Sequence, residues 1–243
     1  MLKMTISTLI GISILGGLTF WYLTYYQERC YGSLDLNGRK IIIFDFDGTL
    51  CDSYQSIVYE FNAIAPNWNV IPVQNVEETR SIPLQDMLKK HGVNKWKLPF
   101  IKYQLTKNIR RHVPNMRLFS GMREALFELK REGYTLGILS SNSYENILQF
   151  LTKYNIENFT FIYHGSSLFG KARLLEYIKA KTKASVIYYI GDENRDIEAA
   201  KAAKIPFIAV TWGYQTKSLL SQYHPTYIVD TPDELSKILK QEK

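Results

Sequence analysis

Two aspartates spaced by one residue, Asp45 and Asp47, follow directly on the apolar run 41–44. Side chains at positions i and i+2 of a strand point to the same side, so both carboxylates are expected to emerge together where this strand ends. Two like charges this close repel each other, and either a shared proton or a bound cation offsets the repulsion. The pair therefore indicates a reactive or metal-binding site rather than a solvated surface.

Further polar residues follow other predicted strands or open predicted helices. They are Ser140, Ser141 and Asn142 after one strand, Asp192 and Asp196 after another, and Lys171 at the start of a helix. Ligands of open α/β sheets bind at the carboxyl ends of the strands, so we expect these side chains to gather at one edge. Oxygen ligands without His or Cys are typical of a hard cation such as Mg²⁺.

Such a site is suited to phosphoryl transfer. The cation and a lysine neutralise phosphate charge, a hydroxyl donates to a phosphate oxygen, and one carboxylate attacks phosphorus. Lys153 and Lys179 are alternatives to Lys171 as the lysine of the site. Ser141 and Asn142 are alternatively the caps of the helix that follows them, which leaves Ser140 as the free hydroxyl.

Glu193 and Asn194 follow Asp192 directly and are also polar. We interpret Glu193 and Asn194 as loop and helix-capping residues rather than as ligands.

The remaining pattern predicts an α/β fold. From Ser120 onward, strand and helix patterns alternate, which is typical of a parallel sheet with helices on both faces. From Asp52 to about Asn115 the pattern is helical and punctuated by prolines, so we expect an all-helical insertion. Residues 31–39 are polar and are expected to form a linker.

The segment Thr5 to Tyr26 is apolar and carries no charge. As a helix it would be about 33 Å long, enough to cross a hydrocarbon core of about 30 Å. Aromatic residues typical of a membrane interface end the segment: Trp21, Tyr22, Tyr25 and Tyr26. We therefore expect an uncleaved single-pass membrane anchor, with a cleaved signal peptide or a buried helix as alternatives. Basic residues after the segment favour a cytoplasmic enzyme domain.

The overall charge limits the classes of partner. The formal net charge of +7 suits small anionic substrates, an anionic membrane surface or nucleic acid. The lysines are spread along the chain without a dense cluster, so nucleic-acid binding is not expected. Cys30 and Cys51 have no metal-ligand spacing and predict no disulfide framework.

The polar residues resemble, in order, the four motifs of the haloacid dehalogenase-like hydrolase superfamily. These are Asp45-Phe46-Asp47-Gly48-Thr49-Leu50, Ser140, Lys171 and Gly191-Asp192-x-x-x-Asp196. The resemblance covers residues 40–240. The helical insertion is similar to the cap of the phosphoglycolate phosphatase-like branch, although Ser81 stands where that branch commonly has glycine.

The resemblance implies a Rossmann-like core with a cap domain. We assign residues 31–51 and 116–243 to the core, 52–115 to the helical cap and 1–30 to the membrane anchor.

The resemblance also implies roles for the acids. Asp45 would be the nucleophile that forms an aspartyl-phosphate, and Asp47 would protonate the leaving group and then activate water. Mg²⁺ would bind the side chains of Asp45 and Asp192 and the backbone carbonyl of Asp47. Asp196 would hold Lys171 or a water bound to Mg²⁺. Asp47 argues against dehalogenation, because halide departure needs no acid.

Substrate-binding residues follow from the same motifs. Ser140 and Lys171 would grip the phosphoryl group, and Ser141 and Asn142 lie beside them in the sequence. Arg80 of the cap would contact the substrate and contribute to its recognition. Alternatively, it is a solvated charge on a helix.

The sequence thus predicts a membrane-anchored, Mg²⁺-dependent phosphatase that acts on a small phosphorylated metabolite. The alternatives are a phosphomutase of the β-phosphoglucomutase type and a low-activity, membrane-tethered binding module.

Overall fold

The computed structural model describes residues 30–33, 35–165, 170–184 and 186–241. The predicted anchor segment Thr5 to Tyr26 lies outside these residues. Within the described part of the chain, no helix is both long and apolar enough to cross a membrane.

Nine strands form two sheets in the described residues. They are β1 (Cys30–Gly32), β2 (Lys40–Phe44), β3 (Cys51–Asp52), β4 (Arg117–Leu118), β5 (Tyr134–Leu139), β6 (Phe159–Tyr163), β7 (Val186–Gly191), β8 (Phe207–Val210) and β9 (Tyr227–Val229). The large sheet has seven strands in the order β1-β6-β5-β2-β7-β8-β9. Its neighbouring strands are parallel except at one edge, where β1 runs antiparallel to β6.

The edge strand β1 corrects two expectations. The sequence predicted a parallel sheet and a linker over residues 31–39, whereas Tyr31 and Gly32 pair antiparallel with β6 and make the sheet mixed. A Cβ on Gly32 would lie 2.1 Å from the carbonyl oxygen of Thr160, so only glycine allows this close approach. Three residues are too few to show a strand pattern, which is why the sequence did not reveal β1.

Strand β2 lies at the centre of the sheet and explains the apolar run before Asp45. Its side chains alternate between the two faces of the sheet and belong to two hydrophobic cores. Ile42 and Phe44 lie in one core, and Ile41 and Ile43 lie in the other. Both faces are covered by helices, as predicted. The first core contains side chains of α5 (Met122–Arg131), α6 (Tyr144–Lys153) and α10 (Pro232–Gln241). The second contains side chains of α7 (Lys171–Thr182), α8 (Asn194–Ala202) and α9 (Lys217–Gln222).

A helical segment separates β3 from β4. It contains α1 (Tyr54–Trp68), α2 (Val76–Arg80), α3 (Leu84–Lys90), α4 (Leu98–Ile109) and a 3₁₀ turn at Val113–Asn115. We call α1 to α4 the cap helices. They enclose a small core of their own, which includes Phe61, Ile64 and Ile101. Asn62 stabilises this core, because its side-chain amide donates a hydrogen bond to the carbonyl of Val73 and accepts one from the Val73 amide.

The cap helices leave and rejoin the rest of the fold at one place. Strands β3 and β4 pair antiparallel, with Cys51 opposite Leu118 and Asp52 opposite Arg117. The two connections therefore run side by side, directly after the loop that carries Asp45 and Asp47.

Candidate active site

Asp45 lies where β2 ends, with its backbone still tied to the sheet. Its amide donates to the carbonyl of Ile190 (2.8 Å), and its Oδ1 accepts from the amide of Phe46 (2.7 Å). Its Oδ2 lies 2.7 Å from Nζ of Lys171. Burial raises the pKa of Asp45 to about 7, because the nearby Lys171 only partly offsets the loss of solvation. Asp45 is thus a buried carboxylate aimed at a buried cation.

Lys171 contacts three polar side chains: those of Asp45, Asp196 and Tyr189. It opens α7, and its side chain is only 2% exposed. Nζ lies 2.8 Å from Oδ1 of Asp196 and donates to the Tyr189 hydroxyl at 2.9 Å. Burial lowers the pKa of Lys171, but the charges of Asp196 and Asp45 outweigh burial and leave it raised. Lys171 therefore carries a positive charge at neutral pH.

The two alternative lysines lie elsewhere. Nζ of Lys153 donates to the carbonyl of Met116, and Nζ of Lys179 donates to the carbonyls of Ala203 and Lys204. Both contacts satisfy backbone carbonyls at loop or helix ends, so the structure brings Lys171, and neither alternative, to the acids.

Asp47 faces a different set of partners from Asp45. Its Oδ1 accepts from the hydroxyl of Ser53 (2.8 Å), and its Oδ2 accepts from Nδ2 of Asn142 (3.0 Å). Burial raises the pKa of Asp47, although both hydrogen bonds act in the opposite direction. The two aspartates, one residue apart, therefore differ in environment: Asp45 contacts a cation, and Asp47 contacts neutral donors.

The residues after β5 form a tight polar turn. The hydroxyl of Ser140 is buried and accepts from the amide of Asn142 (3.0 Å). The structure corrects the alternative in which Ser141 and Asn142 cap α6. Ser143 is the N-cap, and its hydroxyl accepts from the amide of Asn146. This leaves the Asn142 amide group free to hold Asp47.

Asp192 is held between two loops and is fully buried. Its Oδ1 accepts from the hydroxyl of Thr49 (2.8 Å), and its Oδ2 accepts from the amide of Tyr214 (2.7 Å). A Cβ on Gly48 would lie 2.1 Å from Asp192 Oδ2, so the loop after Asp47 packs directly on this carboxylate. Burial, with the nearby charge of Glu193, raises the pKa of Asp192 well above its usual range. Each oxygen keeps lone pairs for a further ligand.

A group of three acids converges near Lys171. One carboxylate oxygen from each of Asp45, Glu193 and Asp196 lies within 4.8 Å of the others. Oδ2 of Asp196 is buried and has no hydrogen-bond partner among the described residues. An unpaired buried carboxylate oxygen is costly unless a cation or a water satisfies it. The donor set and this oxygen fit a hard divalent cation.

Glu193 and Arg195 are the residues that sequence reasoning missed. Glu193 occupies the N-cap position of α8 but makes no side-chain cap there. Its carboxylate instead accepts from Nε of Arg195 (2.7 Å), and both side chains are largely buried. Their position between two motif acids, Asp192 and Asp196, was the available signal. Arg195 adds a second positive charge beside the acids.

Arg80 joins the cap helices to the core. Its Nε donates to the carbonyl of Tyr214 (3.2 Å), and one terminal nitrogen donates to the carbonyl of Gly213 (2.9 Å). Its guanidinium also lies 5.8 Å from the ring centre of Tyr54. Arg80 thus contacts the loop that holds Asp192. Ser141 and Asn142 instead line the cavity between the cap helices and the core.

A cavity of about 190 Å³ lies between the cap helices and the core loops. Its core end is polar and is lined by Asp47, Ser141, Asn142, Glu193, Arg195 and Tyr214. A molecule in this cavity would lie directly against Asp47. The arrangement can therefore hold an anionic group over the acids and protonate an atom at the cavity floor.

Comparison with known proteins places the chain in a family. Residues 42–210 match the family described as haloacid dehalogenase-like hydrolase. Phosphoglycolate phosphatase from Synechococcus elongatus is 31% identical, covering 83% of this chain and 98% of that protein. Pyrophosphatase PpaX from Listeria innocua is 25% identical, covering 83% of this chain and 97% of that protein.

A solved structure shares the fold. The crystal structure of a predicted phosphatase from Clostridium acetobutylicum superposes with a TM-score of 0.71 at 22% identity. The match covers 84% of this chain and all of that one. The resemblance inferred from the motifs is confirmed: the chain belongs to the haloacid dehalogenase-like hydrolases and is a phosphatase of that family.

Proposed function

We propose that the protein hydrolyses a phosphomonoester of a small metabolite through an aspartyl-phosphate on Asp45. The observation that carries the proposal is the buried contact of Asp45 with Lys171, close to an Asp47 that faces the cavity. In the first step Oδ of Asp45 bonds to phosphorus, and the bond from phosphorus to the leaving oxygen breaks. In the second step water attacks the aspartyl-phosphate and releases inorganic phosphate.

Asp47 suits the proton transfers of both steps. Its raised pKa favours a proton on its carboxyl group, and the leaving oxygen would receive that proton in the first step. The ionised Asp47 would then take a proton from the attacking water. Ser53 and Asn142 hold the carboxyl group in one orientation through both steps.

Lys171 and the polar turn at Ser140 would bind the phosphoryl group. Lys171 contacts Asp45 and Asp196 at once, so its charge lies where the negative charge of the transferring group develops. The Ser140 hydroxyl lies in the same turn as Ser141 and Asn142, and it would donate to a phosphoryl oxygen.

Mg²⁺ is the cofactor that this site fits best. The carboxylates of Asp45, Asp196 and Glu193 converge and would hold it. The motif resemblance adds Asp192 and the backbone carbonyl of Asp47 as further ligands. The bound cation would offset phosphate charge and repulsion among the carboxylates. The unpaired oxygen of Asp196 supports this assignment.

Hydrolysis of p-nitrophenyl phosphate tests the mechanism. We expect activity with Mg²⁺, loss of it with a chelator, and a decrease of at least about a thousandfold in Asp45→Asn. Asp52→Asn makes the same chemical change at an exposed carboxylate outside the site, and it should retain activity within about twofold. Activity that survives in Asp45→Asn, or that ignores chelation, would refute the mechanism. Release of inorganic phosphate separates hydrolysis from the mutase alternative.

We also propose that Thr5 to Tyr26 anchors the enzyme in a membrane with its catalytic part in the cytoplasm. The support is the uncharged, apolar composition of the segment. The test compares the full chain with a chain that begins at Glu28, which retains the edge strand β1. We expect the full chain to sediment with membranes and the shortened chain to stay in the supernatant. Equal partitioning would refute the anchor.

A further inference from the structure

We propose that the alcohol released from the phosphomonoester is apolar, with a ring or branched chain of about the size of benzene, and that the cap helices bind it. This inference rests on the proposed function, because it takes the phosphorus atom to be at Asp45. It adds the chemical class of the leaving group.

The walls of the cavity above Asp47 are apolar. Helix α1 contributes Ile57 and Val58, and α4 contributes Leu105. The turn before α3 and α3 itself contribute Ile82 and Met87. These five side chains are half-buried, so a ligand in the cavity would remove their remaining apolar surface from water. A polar leaving group would gain nothing from these walls.

The polar groups of the cap wall are mostly occupied by each other. The Tyr54 hydroxyl lies 2.5 Å from the Thr79 hydroxyl, and it also reaches the carbonyl of Val76. Glycolate, glycerol or a second phosphate would need hydrogen-bond partners that these paired groups do not offer. Lys102 is the charged side chain that the described cap residues add to the wall. It is the feature that an anionic leaving group would use, so it is included in the test.

The size of the cavity sets the size of the group. An apolar cavity of about 150 Å³ holds a benzene molecule, and this one measures about 190 Å³. A benzyl or 3-methylbutyl group would fill most of the space. The acids and Arg195 lie at the core end, whereas the cap wall is mainly apolar, so such an ester has one favourable orientation, with its phosphate toward Asp47 and its carbon skeleton toward the cap.

The experiment measures kcat/KM of the full chain with Mg²⁺ for esters of matched reactivity. Benzyl and 3-methylbutyl phosphate are compared with phosphoglycolate and glycerol 3-phosphate, and methyl phosphate serves as the ester with almost no leaving-group bulk. We expect the two apolar esters to exceed the two polar ones by about a hundredfold. Equal rates, or a preference for the polar esters, would overturn the inference. If the protein hydrolyses p-nitrophenyl phosphate but none of the five esters, the inference alone is overturned, whereas failure on p-nitrophenyl phosphate as well would refute the proposed function.

Matched variants locate the effect in the cavity. Ile82→Asn and Met87→Gln make the wall polar, and each should lower the ratio of benzyl to methyl phosphate by about tenfold or more. Ile71→Asn makes the same change as Ile82→Asn at a cap residue that is 58% exposed and outside the cavity, and its ratio should be unchanged. Lys102→Met should preserve the preference for benzyl phosphate. The inference fails if both cavity variants resemble Ile71→Asn, or if Lys102→Met alone abolishes the preference.

Discussion

The hydroxyl of Tyr189 lies 2.9 Å from Nζ of Lys171, and it donates to Oδ1 of Asp196 (3.0 Å), the same oxygen that Lys171 contacts. Three buried side chains therefore form a closed triangle of hydrogen bonds. The geometry lets Tyr189 set the position of the Lys171 ammonium without itself reaching the cavity.

Tyr189→Phe should weaken this triangle while leaving the Lys171–Asp196 ion pair in place. We expect a loss of about 1 kcal/mol in the free energy of unfolding, because one buried hydrogen-bonding group is removed. Urea unfolding measures the loss. Tyr103→Phe removes a hydroxyl from a residue that is 71% exposed and should change stability little. Equal effects in the two variants would contradict the positioning role.

Gly48→Ala should disrupt the contact between the loop after Asp47 and Asp192. The new Cβ would lie 2.1 Å from Oδ2 of Asp192, and the backbone φ of +76° adds strain. Gly38→Ala is the matched control, because its φ is +70° but no atom lies within 4 Å of the added carbon. We expect Gly48→Ala to lose phosphatase activity and at least about 1 kcal/mol more stability than Gly38→Ala. Equal losses would show that backbone strain alone is responsible.

Glu60 should contribute to stability in a pH-dependent way. This buried carboxylate of α1 is bridged by Arg111 and His112 near the base of the cap helices. Burial raises its pKa, but hydrogen bonds from Arg111 and His112 outweigh burial and leave the pKa below its usual value. A lowered pKa in the folded state gives stability that is present above the unfolded value of about 4.5 and lost as pH falls.

Glu60→Gln tests this dependence. We expect it to cost about 2 kcal/mol at pH 7, because it removes charge-assisted hydrogen bonds to a buried group. Chemical unfolding between about pH 2.5 and 7 should show the difference from the unchanged protein constant above about pH 4.5 and shrinking below it. Glu157→Gln, at an exposed position, is the control. A difference that stays constant with pH would contradict the assignment.

Arg80→Met distinguishes a structural role from substrate contact. The guanidinium donates to the carbonyls of Gly213 and Tyr214, and the latter residue's amide holds Asp192. We expect kcat/KM to fall by the same factor for every phosphomonoester, since the change acts through the core loop. The measurement is kcat/KM for methyl and benzyl phosphate. A decrease confined to one ester would favour the sequence prediction that Arg80 contacts the substrate.

Most residues of the candidate site could be predicted from the sequence because strand ends and helix starts are visible in it. Asp45 follows an unmistakable apolar run, and Lys171 follows a glycine at a helix start. Glu193 was harder to predict, because a residue at a helix N-terminus can either cap its own helix or bind another side chain. In the structure its carboxylate accepts from Arg195 and makes no cap.

Tyr189 and β1 were missed for related reasons. A tyrosine within a buried strand looks like any other large core residue, and its hydroxyl acquires a role only when α7 and α8 bring Lys171 and Asp196 to it. Strand β1 is specified by its partner β6 rather than by its own three residues. Both features depend on contacts between distant parts of the chain, which no local pattern records.

The side-by-side strands β3 and β4 have a further consequence. Because the cap segment departs and returns through adjacent strands, its length and composition can change without altering the path of the central sheet. Under the proposed function, mutations in that segment would change which alcohol the enzyme releases while Asp45, Asp47, Lys171 and Ser140 keep their places. In this architecture the residues of the site and the residues that would select the substrate lie on separate segments, so each set can change in evolution without the other.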